Sequence, residues 1–260
     1  MKPDTGSIAH SARSSNQVSD PSQSARLFLP EMANGPLCQE LPKTMIVAID
    51  GRPHSRKRVV GELVAEAIAA ALVDSEHFYR ALAQACLHAG GHLHYETSIA
   101  RFCHNVSLEV CLGRDEGKVD EAVVLVNGQR FGNGWFKPSK AELSRVAAVP
   151  EARDAVHKAL RTCDQFGRVV VVGCDIGGVV FPGTAYKFVL DESKLSSDPC
   201  HETGNASEGN DDGQHQVVFA RDALMIDTAG LVPAAVRRIL VVEILRRAEL
   251  QARPAAPNGP

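Results

Sequence analysis

The stretch "GRVVVVGCDIGGVVF", Gly167–Phe181, constrains the fold more than any other. Its four consecutive valines, Val169–Val172, present apolar side chains to both sides of an extended chain. Such a strand must be covered on both faces, so it belongs in the centre of a sheet with helices above and below. The run ends in a glycine-rich turn. "TMIVAID", "AYKFVLD" and "ALMIDTAG" read as further strands. From Lys57 to Leu72, apolar residues at Val59, Val60, Leu63, Val64, Ala67, Ile68, Ala71 and Leu72 fall on one face at a 3.6-residue period, which predicts a helix. Further helices are predicted from Glu76 to about His88 and from about Pro233 to Gln251. Buried strands alternating with helices make an α/β fold, a parallel sheet flanked by helices.

Residues 98–135 break that rhythm. "VSLEVCL", "AVVLV" and "QRFGNGWF" are short strand-like pieces separated by Gly, Asn and Asp turns, and they predict a small antiparallel insert. A helix pair follows, "SKAELSRVAAV" and "PEARDAVHKALRT", with Pro150 at a favoured first-turn position. The insert is placed at about 98–150 within a domain over 44–250. Residues 1–43 and 251–260 are rich in Ser, Pro, Asn and Gln or in Pro and Ala, and are expected to be a disordered leader and tail. The polar, Gly/Ser/Asn-rich stretch 192–216 reads as a surface loop.

Composition excludes several classes of function. The formal charge of −3 and the scattered Lys/Arg argue against a dedicated nucleic-acid surface. No apolar run is long enough to span a bilayer, and the N-terminus lacks the pattern of a secretory signal. The seven cysteines, with no C-x-x-C pair, argue against a disulfide framework and against a thiolate zinc site. Reduced thiols and a cytoplasmic location are expected. His77, His88, His92, His94 and His104 crowd one region, but no carboxylate or cysteine stands at a convincing ligand spacing. G-x-G-x-x-G and G-x-S-x-G are both absent.

The segment after "IVAID" reads "GRPHSRKR", Gly51–Arg58, where a phosphate-binding loop would read G-x-x-x-x-G-K-S/T. In such a loop backbone N–H groups cradle the phosphates, and the second glycine lets the backbone approach them closely. Here Arg56 stands at that glycine. Lys57 stands at the phosphate lysine, and Arg58 takes the position of the hydroxyl that holds Mg²⁺. Pro53 removes a further N–H donor.

Several segments, in order from about Thr44 to Leu240, resemble the bacterial-type cytidylate kinases. "IVAIDG" is similar to that family's strand and loop entry, and "VDSEHFYRALAQACLHAG" to L-D-S/T-G-x-x-Y-R-A-L-A. "SRVAAVPEARDAVHKALR" resembles the helix–turn–helix that closes over the monophosphate. "VVVVGCDIGGVVFPGTAYKFVLDES" resembles G-R-D-I-G-T-V-V-F-P-x-A-x-x-K-I/F-F-L-x-A-S, and "ARDALMIDTAGLVPAAVRRIL" the C-terminal strand and helix. The resemblance implies a P-loop nucleoside monophosphate kinase core with a small antiparallel monophosphate-binding insert. It implies a reaction, ATP-dependent phosphorylation of CMP or dCMP, with Mg²⁺ accompanying ATP, no bound organic cofactor and a monomeric chain.

Residue by residue, the resemblance assigns Gly51 and Lys57 to ATP, Lys57 being the catalytic lysine. It assigns Ser75 and Arg80 to CMP, Arg80 pairing with the monophosphate. Ser144 and Arg153 would reach the cytosine, and Asp175 the sugar hydroxyls. Tyr79 would pack nearby. Glu76 replaces a small residue, and its carboxylate would repel an incoming phosphate unless it turned outward. The departures lie on the donor side. Arg56 and Arg58 alter the loop, and Cys174 replaces the arginine of G-R-D. From Asp191 through Ala220, where the family's lid carries several arginines, the chain has none. Phosphoryl transfer is therefore expected to be impaired. The alternative is a catalytically inactive CMP-binding paralogue.

Overall fold

Val169–Val172 are fully buried, 0% exposed, in the middle of an eight-stranded sheet. The computed structural model describes residues 41–52, 55–113, 120–131, 137–192 and 219–252. The valines belong to β6 (Arg168–Gly173), which lies between β1 (Met45–Gly51) and β2 (Ala71–Asp74). Both pairings are parallel, with Val47 opposite Val170 and Val73 opposite Val171. Beyond β1 come β7 (Tyr186–Asp191) and β8 (Leu224–Asp227), also parallel. Beyond β2 lies β4 (Glu121–Val126), joined to it through Leu72 and Glu121. β3 (Leu108–Gly113) and the short β5 (Gln129–Arg130) pair antiparallel with β4. Asn127 and Gly128 connect β4 to β5 with φ of 51° and 75°, the left-handed pair that a two-residue hairpin demands.

Alternate valines of β6 serve opposite cores. Val170 and Val172 pack with α1 (Lys57–Ala67) and α6 (Pro233–Ala252), through Val60, Val64, Leu240 and Ile244. Val169 and Val171 pack with α2 (Ser75–His88), α3 (Glu96–Cys103) and α5 (Pro150–Arg161), through Phe78, Leu82, Ile99, Val156 and Leu160. Each such large side chain contributes roughly 1.5–3 kcal/mol by leaving water. α4 (Lys140–Ala148) precedes α5 and opens with a capping box, Ser139 and Glu142 each bonding the other's backbone N–H. Pro150 occupies the first turn of α5, as expected.

The expected α/β class, the parallel sheet and the antiparallel insert are all present. Two boundaries differ. The helix predicted over Lys57–Leu72 stops at Ala67, and Ala71 and Leu72 lie in β2. Ala69 takes a left-handed φ of 50°, and the N–H groups of Ala70 and Ala69 return to the carbonyls of Ala65 and Glu66. This is a Schellman turn with alanine where glycine is usual. An alanine run followed by a buried strand reads in sequence as more helix. Residues 96–103, partly inside the predicted strand region, form α3. The antiparallel strands also extend the main sheet through β2 rather than standing apart.

Packing reaches N-terminal of β1. Leu41 is 4% exposed, and Arg168 donates to the carbonyls of Pro42 at 2.9 Å, Leu41 at 3.2 Å and Ile68 at 3.2 Å. The predicted leader up to residue 40, nearly all of the predicted loop at 192–216, and residues 253–260 lie outside the described residues. Cys86, Cys103, Cys111, Cys163 and Cys174 are free thiols. Among the described residues no helix is long and apolar enough to cross a membrane.

Candidate functional site

Four parallel strands end at one edge of the sheet: β1 in Asp50-Gly51, β2 in Asp74, β6 in Gly173 and β7 in Asp191. Polar residues gather there, at the carboxyl edge where open α/β sheets bind ligands.

Asp50 is the hub. It is 1% exposed, and its two oxygens accept the N–H groups of Ile176 at 2.7 Å and Gly177 at 2.8 Å. Burial pushes its pKa up to about 6, against the pull of those two bonds; Asp175 adds to the rise and Lys57 opposes it. A Cβ on Gly177 would stand 3.2 Å from Asp50 Oδ2, so glycine permits this approach. The turn itself is unusual. Asp175 has a φ of 63°, and Ile176–Val180 form a single π turn closed by Phe181 N–H to Ile176 O at 2.8 Å. Such turns recur at functional sites. Arg161 braces it from α5 through the carbonyls of Val180 and Val179.

Gly51, where the phosphate-loop segment begins, meets this turn, the Cys174 thiol reaching Gly51 O at 3.5 Å. Arg56 caps α1 with φ 54°. The position expected to be glycine thus keeps a glycine-like conformation while bearing an arginine. Arg56 Nε bonds Glu192 at 2.8 Å, and its Nη2 reaches Thr228 O at 3.5 Å. Lys57 Nζ folds back on the carbonyls of Gly51 at 3.1 Å and Arg52 at 3.3 Å. Arg58 leaves the loop altogether: Nη1 meets Asp74 at 3.0 Å, Nη2 meets Glu121 at 2.8 Å, and His77 closes the group at 3.2 Å. A Cβ on Gly51 would lie 2.4 Å from Ser55 Oγ.

Arg153 of α5 is ion-paired with the buried Asp175. Tyr79 of α2 feels both of them and Cys174; its hydroxyl is pushed up, mainly by burial. The Cys174 thiol is likewise raised by burial, opposed by Lys57 and Arg153. Lys57, Arg153 and Asp175 are therefore brought together around Asp50 and Cys174. Ser75 is buried at the start of α2, against Gly173. Arg80 lies a turn further along α2 and is ion-paired with Glu76. Ser144 is exposed on α4, beside Arg145, whose guanidinium meets His94. Among the described residues two buried side-chain polar atoms have no hydrogen-bond partner, Ser55 Oγ and Arg80 Nε. One sits in the loop and one on the CMP-assigned helix.

A model of the cytidylate kinase family matches residues 47–196, more than half of the chain. The chain belongs to the cytidylate kinase family. The cytidylate kinase of Chloroflexus aggregans is 33% identical over 214 residues, covering 80% of this chain and 90% of its own. That of Shewanella piezotolerans is 26% identical over 159 residues, 59% of this chain and 66% of its own. That of Aeromonas salmonicida is 28% identical over 152 residues, 57% of this chain and 63% of its own. The chain spans slightly less than two thirds of the length of these last two.

Against the cytidylate kinase pattern the loop does not fit a protein-held Mg²⁺. The position of the metal-binding hydroxyl offers a guanidinium, already seated between two carboxylates. Among the described residues no group of three or more His, Cys, Asp or Glu could hold a metal ion. Sequence reasoning missed Asp50 as a site residue and missed the Arg58–Asp74–Glu121 group. A carboxylate ending an otherwise apolar strand was the available signal for Asp50. Nothing local signals Glu121, 63 residues from Arg58.

Proposed function

We propose that this cytidylate kinase family member binds cytidine nucleotides through its acceptor half and is impaired in phosphoryl transfer. The observation that carries this reading is the engagement of Arg58. Its guanidinium is bound to Asp74 and Glu121 where a hydroxyl would face Mg²⁺·ATP. Lys57 and Arg56 are also committed within the chain. The lid stretch Asp191–Ala220 adds no arginine, and an arginine acting on the transferring phosphoryl group is worth roughly 10³–10⁵ in rate. On the acceptor side, Ser75, Arg80, Ser144, Arg153 and Asp175 supply the hydroxyls, guanidinium groups and carboxylate that cytosine, ribose and phosphate call for. The chain works as a monomer in the cytoplasm, in keeping with its free thiols.

One observation favours a second reading, an active (d)CMP kinase. The loop backbone keeps its left-handed turn at Arg56, with Lys57 next to it. In that reading a CMP phosphate oxygen attacks the γ-phosphorus of ATP in line, the bond to the β–γ bridging oxygen breaks, and ADP leaves. Lys57 would hold the ATP phosphates, and Arg80 and Arg153 would hold CMP. Calorimetric titration with CMP and with ATP, followed by an assay of CMP-dependent ADP formation, separates the two. CMP binding without ATP binding is expected. Robust ADP formation that depends on CMP refutes impairment, and failure to bind either nucleotide removes the acceptor-side assignment.

A further inference from the structure

The guanidinium of Arg80 is half-buried, its side chain 28% exposed, and its Nη2 is held by Glu76 Oε1 one turn earlier on α2. Glutamate four residues before arginine is the favourable order on a helix. The same guanidinium keeps a buried Nε–H with no partner among the described residues. An arginine presents its donors as a fork that an anion can fill with two parallel bonds. Here Nη2 carries a carboxylate, so an anion that reaches this guanidinium meets one already in place. Arg153 already faces Asp175, and Cys174 contributes no cation.

We infer that Glu76 is a specificity-determining residue, a resident anion on Arg80 that competes with the acceptor's phosphate. The acceptor pocket then distinguishes cytidine from CMP only weakly, because base and sugar supply most of the binding. This inference rests on the proposed reading of Arg80 as the phosphate arginine.

The physical basis is simple. An exposed helical ion pair is weak, so a phosphate can displace Glu76 from Arg80. The carboxylate stays on the same helix face, whose neighbouring positions stand about 5–6 Å apart. Across water at such a distance, its repulsion of a phosphate with two charges, about 1.5 kcal/mol, lowers affinity roughly ten-fold.

The test is calorimetry on the full chain and on Glu76→Gln, with cytidine and CMP as separate probes at one low ionic strength. Glu249→Gln, exposed on α6, controls for net charge. Thermal unfolding of each variant checks that α2 is intact. The deciding quantity is the affinity ratio of CMP to cytidine. Glu76→Gln is expected to raise it about ten-fold over wild type, through tighter CMP binding with cytidine unchanged. CMP binding that emerges only in Glu76→Gln supports the inference equally. A rise of less than five-fold, or an equal rise in Glu249→Gln, overturns it while leaving the acceptor-side reading in place. If neither ligand binds either protein, the reading of the acceptor half falls and this inference falls with it.

Discussion

The loop after β1 and the turn after β6 meet at the same edge of the sheet, yet they spend their charges differently. In the loop, three consecutive cations each tie the chain to itself. Arg56 reaches Glu192 after β7 and Thr228 after β8, Lys57 holds the loop's own carbonyls, and Arg58 joins the ends of β2 and β4. In the turn, Asp175 answers to Arg153, while Asp50 fixes the backbone underneath. All three cations are thus engaged within the chain. The turn gathers its polar groups, Asp175, Cys174 and the buried Asp50, where α2 and α5 meet the sheet. Arg56 and Arg58 each meet partners on two other parts of the chain at once, whereas Arg153 meets one carboxylate.

The largest test of that contrast concerns turnover. The double change Arg56→Gly, Arg58→Ser restores the loop pattern but adds no lid arginine. CMP-dependent ADP formation is expected to stay on the order of 10³-fold or more below that of a kinase with a complete lid. A coupled assay that recovered such turnover would show that the loop alone was limiting.

Next in size is Asp50→Ala, which strands the N–H groups of Ile176 and Gly177 in the core. A loss of about 2–4 kcal/mol is expected in denaturant unfolding. A loss under about 1 kcal/mol would mean that the turn stands without Asp50. The same carboxyl sets a pH dependence. Its folded pKa of about 6 lies above the ordinary aspartate value of 3.8, so near pH 5 the folded state holds a proton that the unfolded state releases. Its contribution is fully present below about pH 4 and fades as pH rises through about 6, by roughly 2–3 kcal/mol. Wild type should therefore lose stability relative to Asp50→Asn across that window, as followed by thermal melts. A flat difference would place the ionised form at ease in the site.

The smallest effects compare two strained positions. Ala69→Gly relieves a left-handed φ at an exposed turn and should stabilise by about 0.5–1 kcal/mol. Arg56→Gly relieves a similar φ but removes the tie to Glu192. A smaller gain there, read from the same unfolding curves, measures that tie. An equal gain would show that it contributes nothing.

What the chain discloses before folding follows from the range of each interaction. The valine run told its own story, because a strand apolar on both sides has one place to go. The helix pair and Pro150 were legible for the same reason: their signals are local. Ala69 was opaque because alanine is a helix former, and only the surrounding packing forces it into a turn. Asp50 could be read as a strand end, but not as a buried acceptor of two N–H groups from residues 126 and 127 positions away. Glu76 and Arg80 stand four apart and were readable as a pair. Arg58, Asp74 and Glu121 were not, since only the sheet order brings β2 and β4 side by side. Ser144, assigned through the resemblance, lies on the exposed face of α4 rather than in the cluster around Asp50.

The seating of Arg58 also bears on how readily the loop could be repaired one residue at a time. A change of Arg58 to serine places a hydroxyl there but removes the guanidinium shared by Asp74, nearly buried, and Glu121, which keeps His77 at 3.4 Å. Such a variant is expected to lose a little stability, since Arg58 is 42% exposed in these pairs. A substitution at Arg58 is therefore felt at the end of β2 and the start of β4 as well as in the loop.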